Sequence, residues 1–200
     1  CQKHVLDRYF PPVFFLDKGM GANRFYHDPI VAGSVRLGAE EGHHFVKVLR
    51  GQVGQSIELF DGHGHCAQGV VCQISRAGVF VEVKTVSELS TRQHQRIILA
   101  VAAAKGQRFD WMLSKCTEAG TDHIALVHYE RSVRLGKESA VNRYQNLTIS
   151  ACKQCGRNSL PLITGPRKLD QTVMELQQQY PQSKLIYGSP EPGARTIRYL

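Results

Sequence analysis

A row of polar and cationic side chains recurs at helical spacing in the second half of the chain. Arg143, Asn146, Ser150, Lys153 and Arg157 follow one another in steps of three and four residues, which places them on one face of a helix. Three cations on such a face can follow the phosphates of a nucleic acid. A solvated helix surface has the same spacing, so both interpretations of this polar row stay open.

Three polar segments follow strand-like apolar runs in the same half of the chain, at residues 105–108, 130–132 and 188–190. Ligands of open α/β sheets bind beyond the carboxyl ends of the strands. Parallel strands would therefore bring Lys105 and Arg131 to one edge of the sheet as candidate site residues. Ordinary polar loops are the alternative.

The six cysteines include one CxxC pair, Cys152 and Cys155. One pair without a second at zinc-finger spacing is weak evidence for a metal. His63 and His65 alternate with glycines in a pattern typical of a hairpin turn. An even cysteine count in a chain of 200 residues does not indicate a disulfide framework. We predict reduced cysteines, a cytoplasmic protein and no metal, with metal or redox chemistry at the CxxC pair as an alternative.

The charge balance favours a polyanionic partner. The chain has 25 basic and 17 acidic residues and a formal net charge of +8. Residues 93–200 contain 15 of the basic and 8 of the acidic residues, and a basic domain indicates nucleic acid binding. No apolar run approaches the roughly 20 residues that span a bilayer, so no membrane partner is expected. P-loop, GxGxxG, HExxH and catalytic-triad motifs are absent, so these features specify no reaction.

The elements that position these side chains fall into two parts. Residues 23–92 contain a short helical pattern at 40–49 and strand patterns at 56–60, 66–74 and 79–86, separated by glycine turns. This arrangement predicts a small barrel or sandwich. The polar residues 87–95 are the predicted linker.

Beyond the linker, strand and helix patterns alternate. Strands are predicted at residues 97–103, 124–127, 160–163 and 184–187, and helices at 107–119, 138–155 and 169–179. This alternation predicts an open, mainly parallel α/β sheet. The first strand is continuously apolar, which favours a central position with both faces buried.

Several blocks, in this order and spacing, resemble one enzyme family. The more specific ones are KGQRFDWMLSKCTEAG at residues 105–120 and QCGRN with Pro161 at 154–161. The others are RFY at 24–26, HFVKVLR at 44–50, IELFDG at 57–62 and ERS at 130–132. From residue 23 to residue 200 the chain resembles the bacterial 16S ribosomal RNA (uracil-N3) methyltransferases, the RsmE family of the SPOUT superfamily.

The resemblance implies a fold and an activity. Residues 23–90 are expected to form an RNA-binding PUA-like β-barrel, and residues 91–200 an α/β SPOUT domain of the trefoil-knot methyltransferase type. The implied reaction transfers the methyl group of S-adenosylmethionine to N3 of one uridine in the 16S rRNA of the small ribosomal subunit. The complete protein is expected to be a homodimer.

The resemblance also implies site residues. RNA-binding candidates lie in both domains: Arg24, Lys47, Arg50, Lys105 and Gln154. Arg131 or Arg157 could supply a cation that favours the N3 anion of uridine. Glu118 is a candidate base, although its spacing from Lys115 also suits a surface ion pair.

Two features depart from the family pattern. Lys153 stands where the family usually has Glu. The glycine-rich segment that forms the knot and binds the cofactor is expected after the fourth strand, and the sequence reaches Leu200 before it. No residue is therefore assigned to the cofactor, and a truncated chain is expected. Residues 1–22 have no counterpart in the family and are expected to be an extension, and the native start is expected at Met20. A non-catalytic RNA-binding protein or an inactive fragment is the alternative.

Overall fold

Two separate sheets organise the chain, whose computed structural model describes residues 23–88, 96–102, 106–129 and 139–188. The first sheet contains β1 (Arg24–Tyr26), β2 (Gly33–Arg36), β3 (Ser56–Phe60), β4 (His65–Ser75) and β5 (Gly78–Glu88). The second contains β6 (Ile98–Ala102), β7 (His123–His128) and β8 (Leu162–Lys168). The helices are α1 (Ala39–His43), which continues as a π-helical turn (His44–Val48), α2 (Gln107–Glu118), α3 (Ser139–Cys155) and α4 (Leu169–Gln179).

The first sheet is mixed and has the strand order β1-β3-β4-β5-β2. Only β1 and β3 pair in parallel; the other neighbours are antiparallel. Val79, Val81 and Val83 point into the core while Glu82 between them is exposed, so the predicted alternation is confirmed. The pairings among the described residues leave β1 and β2 as open edges and do not close the sheet into the predicted barrel.

The second sheet is parallel throughout, in the order β6-β7-β8, with α2 and α3 as its crossover helices. The predicted alternation of strands and helices is confirmed here. The predicted central position of the first strand is not found among the described residues, where β7 is central and buried from His123 to Val127 and β6 lies at the edge and is partly exposed. An apolar run indicates burial but does not determine which strands become its neighbours.

The predicted fourth strand at residues 184–187 is absent. Leu185, Ile186 and Tyr187 are 66%, 54% and 82% exposed, and no strand in the described part of the chain pairs with them. A strand needs a neighbour for its backbone hydrogen bonds, and three apolar residues in succession do not supply one. Within the described ranges, no helix has the length and apolar character needed to cross a membrane.

His123 is buried at the start of β7 and makes the second domain sensitive to acid. Its ring nitrogens contact the Tyr180 hydroxyl at 3.2 Å and the Thr164 hydroxyl at 2.7 Å, and burial lowers the pKa of His123. The unfolded chain takes up a proton at an ordinary pKa of about 6.5. Stability is therefore lost as the pH falls below about 6.5, by at most about 1.4 kcal/mol per pH unit.

His123→Gln should reduce this acid sensitivity, because the proton acceptor of the unfolded chain is removed. The measurement is the urea midpoint at a series of pH values between about 7.5 and 5, where this titration lies. His128→Gln is the matched control, since His128 is exposed at the other end of the same strand. Equal pH slopes for the wild type and His123→Gln would refute the assignment.

Candidate nucleic-acid interface

Arg24 joins the two domains. Its side chain is 8% exposed and pairs with Glu58 of β3 at 2.9 Å. Its two terminal nitrogens donate to the carbonyl oxygens of Cys152 and Arg157, at 2.7 and 2.9 Å, and to the side-chain oxygen of Asn158. Few N–H groups of the Arg24 guanidinium therefore remain to bind a phosphate. These contacts give Arg24 a structural role between the domains, and its binding of RNA stays a prediction.

Arg157 is also held inside the second domain. Its side chain is 14% exposed. It donates to the carbonyl oxygens of Thr117 and Thr121, at 3.1 and 2.7 Å, and to the Asp122 carboxylate at 3.1 Å. These bonds tie the end of α3 to the end of α2 and to the residues before β7. The structure thus engages Arg157 with backbone and carboxylate oxygens, and its role as a cation for the reacting uridine stays a prediction.

Lys153 forms an ion pair across the domains. Its ammonium group lies 2.7 and 3.0 Å from the two carboxylate oxygens of Glu41 and 5.2 Å from the centre of the Phe25 ring. The side chains of Lys153 and Glu41 are only 22% and 15% exposed. The lysine that departs from the family pattern thus has a definite partner in the first domain.

All three cations of the polar row are now accounted for. Arg143 pairs with Asp110 of α2, Lys153 with Glu41, and Arg157 with Asp122. Each cation of the row therefore has an acidic partner within the chain, and phosphate binding by these residues stays a prediction.

The turn predicted around His63 and His65 is a docking loop between the domains. The Leu160 amide donates to the Gly62 carbonyl at 2.8 Å, and the Gly64 amide to the Asn158 carbonyl at 3.2 Å. Gly62 has φ +81°, and a Cβ there would lie 2.7 Å from the Leu160 side chain, so glycine is required on both grounds. We refer to Arg24, Glu41, Lys153 and Asn158 as the interdomain clasp, which this loop flanks.

Reversing the charge of Lys153 should weaken the clasp. Lys153→Glu would face Glu41 with a second carboxylate at low exposure, and we expect a loss of about 2 kcal/mol in the free energy of unfolding. The double exchange Glu41→Lys with Lys153→Glu should recover at least half of that loss. Urea unfolding of the wild type, Lys153→Glu, Glu41→Lys and the double variant gives the coupling energy. A double variant no more stable than Lys153→Glu would show that the pair is not formed.

Lys47 and Arg50 remain exposed cations on the first domain. Arg50 has φ +53°, a left-handed conformation more usual for glycine at the end of a helix. The Gly51 amide then donates to the Phe45 carbonyl at 2.9 Å, and a Cβ on Gly51 would lie 2.1 Å from the Phe45 ring. This turn presents two cations to solvent from a fixed backbone.

The other predicted residues are less informative. Glu118 pairs with Lys115 at 2.7 Å on the exposed surface of α2, as the surface-pair interpretation predicts. Gln154 is exposed in the last turn of α3. Lys105 and Arg131 lie outside the described residues.

The CxxC pair lies at the end of α3. Cys152 is fully buried and Cys155 is exposed. The neighbouring Cys152 thiol, with help from Arg157, lowers the pKa of Cys155 to about 6, and the proximity of the two thiols together with burial raises the pKa of Cys152. In the part of the chain that the structure describes, no group of three or more His, Cys, Asp or Glu side chains is placed to hold a metal.

Two concave regions occur near these elements. A cavity of 110 Å³ lies between β7, β8 and α4, with His123 in its wall. A cleft of 490 Å³ separates α1 and Tyr26 of the first domain from α3 of the second. We call the latter the interdomain cleft.

Comparison with known proteins identifies relatives of both domains. The family model for an RNA methyltransferase domain matches residues 91–195, and that for an RNA methyltransferase PUA domain matches residues 37–84. The ribosomal RNA small subunit methyltransferase E of Buchnera aphidicola is 25% identical over 161 residues, covering 78% of this chain and 59% of the relative.

Solved structures that resemble this chain also include methyltransferases. A methyltransferase from Legionella pneumophila with bound S-adenosylmethionine superimposes with a TM-score of 0.72 at 32% identity, over 78% of this chain and 66% of the other. The ribosomal RNA small subunit methyltransferase E of Neisseria gonorrhoeae, also bound to S-adenosylmethionine, gives 0.68 at 26% identity, over 76% and 65%. The chain thus spans less than two thirds of the length of each of these relatives.

Neither of these two concave regions fits S-adenosylmethionine. The cavity of 110 Å³ is below the roughly 300 Å³ of sites for small molecules. The larger cleft lies between the domains and is lined along α3 rather than by the carboxyl ends of strands, where α/β sheets bind their ligands. No residue of the described ranges is therefore assigned to the cofactor.

Proposed function

Because the chain belongs to the RNA methyltransferase family, as its motifs predict, we propose that it methylates N3 of one uridine in the 16S rRNA of the small ribosomal subunit. The methyl donor would be S-adenosylmethionine, the location the cytoplasm, and the assembly a homodimer. The observation that carries this proposal is the match of residues 91–195 to the RNA methyltransferase domain, next to a PUA domain match at residues 37–84.

The division of roles between the domains supports this proposal. The first domain offers Lys47 and Arg50 as exposed cations on a fixed turn, and such cations position RNA through its phosphates. The clasp holds that domain against α3, so RNA bound by the first domain would meet a constant geometry in the second. Arg131 stays the candidate for the cation that would favour the N3 anion, since Arg157 is engaged elsewhere.

The direct test is methyl transfer to small ribosomal subunits that lack the modification. Purified protein is incubated with the subunits and with S-adenosylmethionine carrying a labelled methyl group, and the modified position is mapped by reverse transcription, because an N3 methyl group blocks base pairing. We expect label at a single uridine of 16S rRNA. RNA binding without any methylated uridine would support the alternative, a non-catalytic RNA-binding protein.

Arg50→Gly should separate stability from RNA binding. Glycine accepts the left-handed conformation at no steric cost, so the free energy of unfolding should rise by about 1 kcal/mol. If Arg50 contacts a phosphate of single-stranded RNA, the dependence of log K on log salt should fall by about 0.7. Arg76→Gly serves as the control on another exposed turn. An unchanged salt dependence would show that Arg50 makes no contact with an RNA phosphate.

A further inference from the structure

The interdomain cleft has one wall of uncharged polar side chains. Asn142, Gln145, Asn146 and Ser150 lie along α3 and line the cleft, and all four are exposed. Their side chains make no hydrogen bond within the described residues, whereas every cation of the polar row on the same helix is paired. The charged side chains of α3 therefore form ion pairs within the protein, whereas its amide side chains have no hydrogen-bond partner among the described residues.

The charge of the cleft disfavours phosphate. Lys153 at its inner end is neutralised by Glu41, and Glu40 in the opposite wall is exposed and pairs with no cation among the described residues. A ribose-phosphate chain would be repelled there. Amides and a carboxylate instead match the donors and acceptors on the edges of nucleobases, and the ring of Tyr26, which also lines the cleft, offers a surface for stacking.

The cleft also points toward the expected site of reaction. Because α3 is the crossover between the parallel strands β7 and β8, it runs antiparallel to them, and its N-terminal end lies at the edge where their carboxyl ends meet. Asn142 is near that end, and the Lys153–Glu41 pair closes the other. The wall between them is about 16 Å long at 1.5 Å per residue.

We propose that the interdomain cleft binds unpaired RNA bases, whose edges are read by Asn142, Gln145 and Asn146. This inference rests on the proposed function. It adds contacts that depend on the RNA bases to the phosphate contacts proposed for the exposed cations of the first domain. Phosphates lie at the rim, where they remain solvated, and the bases turn inward. Single-stranded RNA fits this arrangement, because only unpaired bases expose their edges in this way.

The test compares two probes of equal charge on the full chain. One is a fluorescein-labelled oligouridylate of ten nucleotides, and the other is the same ribose-phosphate chain without bases. Wild-type protein should bind the oligouridylate more tightly. The variant carrying Asn142→Ala, Gln145→Ala and Asn146→Ala together should bind it at least about tenfold more weakly, with unchanged affinity for the abasic probe and an unchanged salt dependence, because no charge is removed.

The control variant carries Gln73→Ala, Gln177→Ala and Gln178→Ala, which removes three exposed amides of β4 and α4, and it should bind like the wild type. Equal affinity of the wild type for both probes would overturn the inference. So would a triple α3 variant whose oligouridylate affinity is within twofold of the wild type, or one that loses both probes equally. The methyl-transfer assay reports on the proposed function separately, since methylation by the wild type can persist with any of these binding results.

Discussion

Arg24→Ala will lower the free energy of unfolding by about 3–5 kcal/mol, the range expected when one partner of a buried ion pair is removed. The substitution leaves Glu58 without its cation and removes the donors to the Cys152 and Arg157 carbonyls and to Asn158. Three of these acceptors belong to the second domain. The loss should therefore appear as an uncoupling of the domains as well as a drop in stability.

Two probes in one urea titration can detect that uncoupling. The single tryptophan, Trp111, is in α2 of the second domain, while circular dichroism reports on both domains. The two transitions should coincide in the wild type and separate in Arg24→Ala. Arg24→Lys should recover only part of the stability, because an ammonium group cannot reproduce the fork of donors. Arg76→Ala is the exposed control. A loss below about 1 kcal/mol for Arg24→Ala, the range of surface ion pairs, would show that Arg24 is available to other partners.

The sequence pattern of a single segment predicts its helix or strand well where burial on one face of that segment sets the pattern. The predicted helix at 169–179 has the observed bounds of α4, and the helix predicted at 107–119 ends one residue after α2. The strands β3, β4 and β5 are also found where alternation and glycine turns predict them. In each case the periodicity of burial along one element carries the information.

The partners of the cations could not be predicted in the same way. Helical spacing places Arg143, Lys153 and Arg157 on one face, but their acidic partners are 33, 112 and 35 residues away in sequence. Only the tertiary fold decides whether a cation meets a carboxylate or solvent. The same limit applies to the segment at 184–187, whose apolar character predicts a strand but which has no pairing partner among the described residues.

Two uncharged residues of the cleft wall, Asn142 and Gln145, were not among the residues predicted from the sequence. Asn142 and Gln145 share a helix face with Asn146 and Ser150, and their spacing was available as a signal. That spacing alone does not indicate a binding site, because amides are common on solvated helices. Their position in the cleft makes these residues candidates for binding RNA, because the wall opposite them comes from α1 and Tyr26 of the first domain.

Arg157→Ala is the second large effect, and it decides between two roles for this residue. The resemblance to the RsmE family makes Arg157 a candidate for assisting the reaction, whereas the structure binds its guanidinium to Thr117, Thr121 and Asp122. If the structural role is correct, the free energy of unfolding should fall by about 3 kcal/mol. Methylation by the fraction that stays folded should change little.

The two roles separate when stability and activity are measured on the same preparations. Arg143→Ala is the matched control from the same helix, because its pair with Asp110 is more exposed, at 55% and 21%, and its loss should be within about 1 kcal/mol. Asp122→Asn removes the negative charge beside Arg157 while keeping an oxygen acceptor, and it should destabilise less than Arg157→Ala. A loss of methylation of 100-fold or more in Arg157→Ala, with a stability change below about 1 kcal/mol, would show that Arg157 assists the methyl transfer. That outcome would mean that its internal hydrogen bonds are exchanged for RNA contacts when substrate binds.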